Sequence, residues 1–257
     1  MAAAISRENM ARNFYETDRA LSEYLLFHYG PSGPRYGISG TLFPIRCVTE
    51  CLDVRRLPVN ARALDLGCAV GRASFELARR CAQVVGIDYS KRFITIACRL
   101  RRKASFLFDY VEEGELVHPC RARVPKAIDR KRVRFEVGDA MHLPSRLGVF
   151  DVILMTNLID RLSHPRKCLE QLPRLLKSGG QLILTSPYTW LREYTPRRNW
   201  LGGFMRAGKR VRTFETLKQI LAPDFRLLRR RDLPFLIREH ARKFQLAVAE
   251  ASIWQRK

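Results

Sequence analysis

Several things are missing from this 257-residue chain. No run of eighteen apolar residues occurs, so no transmembrane helix is expected. The seven cysteines are odd in number and scattered, and none forms a C-x-x-C pair. Zinc and redox motifs therefore lack a basis, no metal site is expected, and reduced thiols in a reducing compartment are. The opening segment MAAAISRENMARNFYE has no charged-then-apolar signal pattern, which makes a cytoplasmic location the expectation. The glycine fingerprint G-x-G-x-x-G is absent, which argues against dinucleotide binding. No internal repeat or low-complexity tract stands out.

Acids are scarce: 25 Asp and Glu face 47 Lys and Arg, a net charge of +22. Such a charge attracts anions, nucleic acid above all. The basic residues cluster at Arg99–Lys103, Arg121–Arg134, Arg206–Arg212 and Arg229–Arg231. None of these carries the signature of an RNA-binding module, so solvated faces are the plainer reading. The charge still keeps nucleic acid open as a partner.

What is present is alternation. Met10, Phe14, Leu21, Leu25 and His28 recur at helical spacing and predict an N-terminal helix stopped by Gly30-Pro31. A turn-rich link and a short helix around Arg46–Asp53 follow. From residue 62 strand-like and helix-like segments alternate, with an apparent insertion at 104–130. PRKCLEQLPRLLKSGG predicts a glycine-capped helix that Pro173 kinks or shortens. FRLLRRRDL and ARKFQLAVAEASIWQR predict a closing antiparallel pair and an antiparallel edge strand. The pattern implies an α/β fold, with a doubly wound, mostly parallel sheet covered on both faces.

The most specific motif is ALDLGCAVGRASFELA (Ala63–Ala78). An apolar strand ends at Asp65, and the small-residue turn Gly67-Cys68-Ala69-Val70-Gly71 opens a helix. Small residues let a ligand approach the backbone at the carboxyl end of a strand, where open sheets bind ligands. A second acid, Asp88, closes the next strand beside Tyr89, and suits a pair of ribose hydroxyls. A third, Asp139, follows the third strand and suits an adenine amino group, with the amides of Ala140 and Met141 nearby. Any one of these acids reads equally well as a turn residue or helix cap. Three at successive strand ends beside a glycine turn form a constellation.

That constellation resembles the class I S-adenosylmethionine-dependent methyltransferases, over about Ala61 to Lys257. The resemblance implies a Rossmann-like sheet of seven strands with the last strand inserted antiparallel, and S-adenosylmethionine as cofactor. It also implies that Asp65, Gly67 and Gly71 hold the methionine part, Asp88 the ribose and Asp139 the adenine. Ala69 stands where the family's middle glycine does, and Cys68 reads as a small structural filler. Asn157, after the fourth strand, occupies a position where such enzymes contact the acceptor or cofactor. The Asn/Asp-Pro-Pro-aromatic motif of nucleic-acid amino-methylating enzymes is missing from MTNLIDRL.

A narrower resemblance rests on NFYETDRALSEYLLFHYG, LFPIRCVTEC, LTSPYTWLREYTPRRNWLGG and LPFLIREHARKFQ. Together these are similar to the mercaptohistidine N-methyltransferase domain of ovothiol biosynthesis, over about Asn13 to Arg256. The resemblance implies methyl transfer to an imidazole nitrogen of thiohistidine, giving an ovothiol. It also implies an upstream sulfoxide synthase or lyase as pathway partner, and a stand-alone transferase here. It is looser at 104–130 and around Met155–Asp160. The chain then reads as one domain, 1–257: an N-terminal helical cap (1–60), a cofactor-binding core (61–186), an acceptor lid (187–212), and a C-terminal helix and strand pair (213–257).

For such an acceptor His28, Glu193 and His240 are candidate bases. Arg46, Arg192 and Arg238 are candidates for its carboxylate, and Glu193 and Glu239 for its ammonium. Tyr15, Tyr188, Trp190, Tyr194 and Trp200 are candidates to stack on the ring and exclude water. Each has a plainer reading as core, anchor or turn residue. Two other functions remain in view, an RNA methyltransferase and a non-catalytic protein that only holds the cofactor.

Overall fold

Period-two alternation sorts the strand side chains onto two faces of one sheet. Ala63, Val84, Val152, Leu154 and Ile183 pack into one buried cluster, and Leu64, Leu66, Val85, Ile153, Met155, Leu182 and Leu184 into another. Both faces must therefore be covered by helices. The computed structural model describes residues 14–31 and 42–257. Met10 of the expected first helix and most of the turn-rich link lie outside the described residues.

The cap supplies α1 (Asp18–Tyr29) and α2 (Phe43–Thr49). The core then runs β1 (Arg62–Leu66), α3 (Arg72–Leu77), β2 (Gln83–Asp88) and α4 (Lys91–Lys103). Next come the hairpin β3 (Ser105–Glu113) and β4 (Leu116–Arg123), then β5 (Val133–Val137) and β6 (Phe150–Thr156). Two short helices, α5 (Pro165–Leu169) and α6 (Leu172–Leu175), lead into β7 (Leu176–Ser186). A small ribbon, β8 (Phe204–Arg206) and β9 (Lys209–Val211), precedes α7 (Thr213–Leu221), β10 (Phe225–Arg238) and β11 (Phe244–Arg256). Local chemistry starts the longer helices. Thr17 caps α1 by accepting from the Ala20 amide at 3.1 Å, and Ser90 caps α4 by accepting from the Phe93 amide at 3.1 Å.

The seven-stranded sheet has the order β10-β11-β7-β6-β1-β2-β5. Its neighbours are parallel except β11, which is antiparallel to both β7 and β10. The last strand is thus inserted antiparallel, as the resemblance implies, and only the expectation of an antiparallel edge strand is corrected. β10 forms the edge, which suits Pro234, since an edge strand tolerates a missing amide donor. The expected helix over 165–180 is also shorter. It breaks at Glu170-Gln171, Pro173 sits in the first turn of the second short helix, and the Gly179-Gly180 pair lies in the opening of β7 rather than capping a helix. The segment at 104–130 is the β3–β4 hairpin, which rests on α1 and α4.

One feature of register shapes the site. β7 pairs only with Glu250–Gln255 of β11, whereas β10 and β11 pair over their whole length. The far half of β10 and the near half of β11 therefore run on past the sheet as a two-stranded ribbon. Phe235, Ile237, Glu239 and Gln245 of that ribbon border a cavity above the carboxyl ends of the central strands. Among the described residues no helix is long and apolar enough to cross a membrane.

Candidate active site

The glycine turn after β1 folds on alternating positive φ angles: 74° at Gly67, 46° at Ala69 and 83° at Gly71. Glycine takes these freely, and Ala69 pays a modest strain. A Cβ on Gly67 would lie 3.0 Å from Leu158, and one on Gly71 would lie 2.5 Å from the Phe135 ring. The turn is therefore both left-handed and closely covered. The Gly67 and Cys68 amides donate to Ile87 O at 2.8 and 3.1 Å, tying the turn to β2.

Asp88 completes that tie. Its Oδ2 accepts from the Ala69 amide at 2.8 Å and its Oδ1 from the Ser90 amide at 2.9 Å. Burial pushes its carboxyl up to about 6 against those hydrogen bonds. Asp139 is held similarly, with Oδ1 accepting from the Met141 amide at 2.8 Å and Oδ2 meeting His142 Nδ1 at 2.9 Å. Each carboxylate oxygen keeps a lone pair beyond the one bond named for it.

Gly67, Ala69, Asp88, Tyr89, Asp139, Ala140 and Asn157 all border one cavity of about 490 Å3. Three other residues assigned to the cofactor on sequence do not. Asp65 is 0 % exposed beneath the turn, where its Oδ2 accepts from Ser74 Oγ at 2.6 Å. Among the described residues its Oδ1 has no hydrogen-bond partner, and burial raises the carboxyl to about 7. Cys68 is buried, and Gly71 begins α3 behind the cavity wall. Strand alternation explains Asp65, because Leu64 and Leu66 face the other side of the sheet.

The opposite wall is aromatic. α1 presents Tyr24, Phe27 and His28, spaced i, i+3, i+4, and Phe43 and Phe235 pack beside them, their rings tilted by 36° with centroids 4.6 Å apart. Tyr15 sits 6.0 Å from both Tyr24 and Tyr194. Arg161 reaches in from the turn after β6, its Cζ 4.9 Å from the Tyr194 ring centre. The other charged residues at the cavity are Glu23, Asp88, Asp139, Glu193 and Glu239. Among the described residues Arg161 is thus the one cation in an acidic lining, inside a chain of net charge +22.

The acceptor residues expected from sequence divide sharply. Tyr15, His28, Glu193, Tyr194 and Glu239 reach the cavity. Trp190 does not; it is buried in the core and donates from Nε1 to Thr213 Oγ1 at 2.9 Å. Trp200 stacks on it at 6.3 Å and donates to Thr195 O. Tyr188 turns to Glu250, donating to Oε1 at 2.6 Å. Arg46 pairs with Glu50 at 2.6 Å and donates to Pro234 O. Arg238 lies over the Tyr110 ring at 4.6 Å, and Arg192 is exposed away from the cavity. His240 serves its own turn, with Nδ1 accepting from the Arg242 amide. The expected lid is therefore a packed loop, and only Pro187, Leu191, Glu193 and Tyr194 of Thr185–Phe204 border the cavity.

His28 is corrected in another way. Burial first, and Arg72 second, lower its pKa to about 3. A base serves best with a pKa near the operating pH. His28 is therefore a neutral hydrogen-bonding group, 8 % exposed, whose Nδ1 has no partner among the described residues.

Sequence reasoning missed Arg161, Tyr24, Phe27 and Phe235. The shared face of Tyr24, Phe27 and His28 on α1 was the one available signal.

Comparison with known proteins fits this geometry. Residues 64–184 match the family model described as a methyltransferase domain. An ajmaline N-methyltransferase of Rauvolfia serpentina is 25 % identical over 178 residues, covering 66 % of this chain and 53 % of that protein. The chain spans about half the length of the curated relatives it matches. Among solved structures, the N-methyltransferase NodS of Bradyrhizobium japonicum WM9 with S-adenosyl-L-homocysteine superposes with TM-score 0.51 at 16 % identity, over 92 % of this chain and 98 % of that one. The cyclase SpnF superposes with TM-score 0.57 at 22 % identity, over 90 % and 77 %. The fold is the one these solved structures share, and residues 64–184 are similar to a methyltransferase domain. The shared fold with a cyclase leaves the acceptor to be argued from the site.

Proposed function

We propose that the chain is an S-adenosylmethionine-dependent N-methyltransferase acting on the imidazole ring of a mercaptohistidine, with an ovothiol as product. The observation that carries this reading is the cavity: about 490 Å3, walled by aromatic rings, with five acids and the single Arg161 at its border. A small zwitterionic ring compound matches that lining. Aromatic faces stack on an imidazole, acids receive an ammonium, and an arginine receives a carboxylate.

The residues present fit the cofactor. Gly67 and Ala69 offer a cradle without bulky side chains, and Asp88 and Asp139 offer spare acceptor lone pairs at successive strand ends. When bound, S-adenosylmethionine supplies an activated methyl on a sulfonium. Asp88 would hold the ribose and Asp139 the adenine. Tyr15, Tyr24, Phe27 and Tyr194 would exclude water and align the acceptor nitrogen, which supplies rate by position. His28, neutral at physiological pH, would accept a hydrogen bond from the ring or the ammonium and so fix its orientation. The departing ring proton would leave through Glu193 at the exposed mouth, or to solvent.

The charge of +22 favours nucleic acid, but among the described residues none of the four basic clusters borders the cavity. α4 runs back from β2, so Arg101, Arg102 and Lys103 lie at the amino-terminal end of the sheet, where Arg130 donates to Arg101 O. A strand bound there would leave its bases far from the strand carboxyl ends.

The test is mass spectrometry of the purified chain with S-adenosylmethionine and either 5-thiohistidine or histidine. Gain of one methyl on thiohistidine is the expected result. No methyl on either compound would refute the proposed acceptor.

A further inference from the structure

The turn after β6 sets a buried acid, Asp160, beside a partly exposed cation, Arg161. Asp160 is 0 % exposed. Its Oδ1 accepts from Ser186 Oγ at 3.2 Å and its Oδ2 from the Thr189 amide at 3.1 Å. Arg161 is fastened to this hub by one nitrogen only. Its Nη1 donates to Asp160 O and Oδ2 at 3.0 Å and to Thr189 O at 2.9 Å. A guanidinium carries five N–H donors, and Nε and Nη2 account for three of them. Among the described residues neither Nε nor Nη2 has a hydrogen-bond acceptor. The anchored nitrogen fixes the plane, the Tyr194 ring supports it from one side at 4.9 Å, and the cavity lies beyond.

Three phenols surround that head. Tyr15 and Tyr24 both feel Arg161 electrostatically, and the hydroxyl of Tyr15 interacts with those of Tyr24 and Tyr194. Burial raises the pKa of Tyr15 well above its ordinary value and that of Tyr24 to about 12, so both are protonated donors. A planar fork with unspent donors, ringed by hydroxyls and partly shielded from water, is what a carboxylate needs. Among the described residues the other charged groups at the cavity border are acids, which would repel an anion.

We propose that Arg161 and the hydroxyls of Tyr15, Tyr24 and Tyr194 form a carboxylate-binding site that seats an α-amino-acid group. Two molecules could bring that group, the acceptor or the methionine end of the cofactor. The acceptor assignment rests on the function proposed above, whereas the site itself does not.

The experiment uses the whole chain and Arg161→Met, with Tyr194→Phe as a milder second variant that keeps the ring. Calorimetric titration measures S-adenosylhomocysteine against its decarboxylated analogue. In the S-adenosylhomocysteine-loaded protein it then measures 5-thiohistidine against its decarboxylated analogue. The expected result is a preference of tenfold or more for thiohistidine over its decarboxylated analogue, lost in Arg161→Met and reduced in Tyr194→Phe, with S-adenosylhomocysteine affinity unchanged. A carboxylate preference lost only for S-adenosylhomocysteine would assign the site to the cofactor. If the protein ignores thiohistidine, the proposed acceptor is wrong, and the S-adenosylhomocysteine pair alone decides the site. Carboxylate preferences that are the same in the parent and both variants, or absent throughout, would overturn the site.

Discussion

The Ala69 amide donates to Asp88 Oδ2 at 2.8 Å, so the left-handed turn after β1 is fixed by the carboxylate that closes β2. One side chain thus shapes the cradle and borders the place where a ribose would lie.

This double duty predicts the behaviour of Asp88→Asn. An amide nitrogen cannot accept from a backbone N–H, so one of the two bonds to Ala69 and Ser90 is lost. The expected cost is about 1–3 kcal/mol of folding stability. S-adenosylhomocysteine affinity should fall at least tenfold by calorimetry. With the Asp88 carboxyl raised to about 6, affinity in the parent should also weaken as pH drops below that value, and the variant should lose this dependence. An unchanged affinity would remove Asp88 from the cofactor site.

Two buried groups should pull stability in opposite directions with pH. Asp65 has a folded pKa of about 7 against an ordinary 3.8, so the folded state holds its proton more tightly. Its contribution is lost as pH rises from about 4 to 7. His28 has a folded pKa of about 3 against an ordinary 6.5, so the unfolded state takes the proton, and stability is lost as pH falls from 6.5 toward 3. Asp65→Asn should therefore gain stability over the parent at pH 8, by about 2–4 kcal/mol, and little at pH 4. His28→Gln should compare best with the parent in acid. Urea unfolding at pH 4.5, 6 and 8 checks both, and curves parallel to the parent's would contradict the burial argument.

The aromatic loop should split by direction. Trp190→Ala empties a core position and leaves Thr213 Oγ1 without its donor, at a cost of about 3–5 kcal/mol. Below its melting point it should bind S-adenosylhomocysteine and acceptor as the parent does. Tyr194→Ala should cost less stability and weaken the acceptor. Thermal unfolding together with calorimetry separates the two. Equal losses of acceptor binding in both would restore the whole loop as a lid.

That split also marks what the sequence could reveal. Asp88, Asp139 and the Gly67–Gly71 turn were legible because each lies within a few residues of a strand end, where local pattern fixes position. Asp65 belonged to the same pattern, yet alternation along β1 turned it under the turn toward Ser74. The Arg161 cluster was hidden because it joins residues 15, 24, 161 and 194, and only the fold brings them together. Ring content alone could not separate Tyr194, which faces the cavity, from Trp190, which faces the core. The β10–β11 ribbon was read as a pair, but its overhang depends on a register with β7 that no single segment encodes.

The central claim is that the cavity, rather than the basic surface, selects the acceptor. One competition tests it most directly: purified chain, methyl-labelled S-adenosylmethionine, 5-thiohistidine and bulk RNA together at low salt, with label counted in each fraction. The account predicts label on thiohistidine, undiminished by RNA. Label in RNA with thiohistidine unmodified would contradict it.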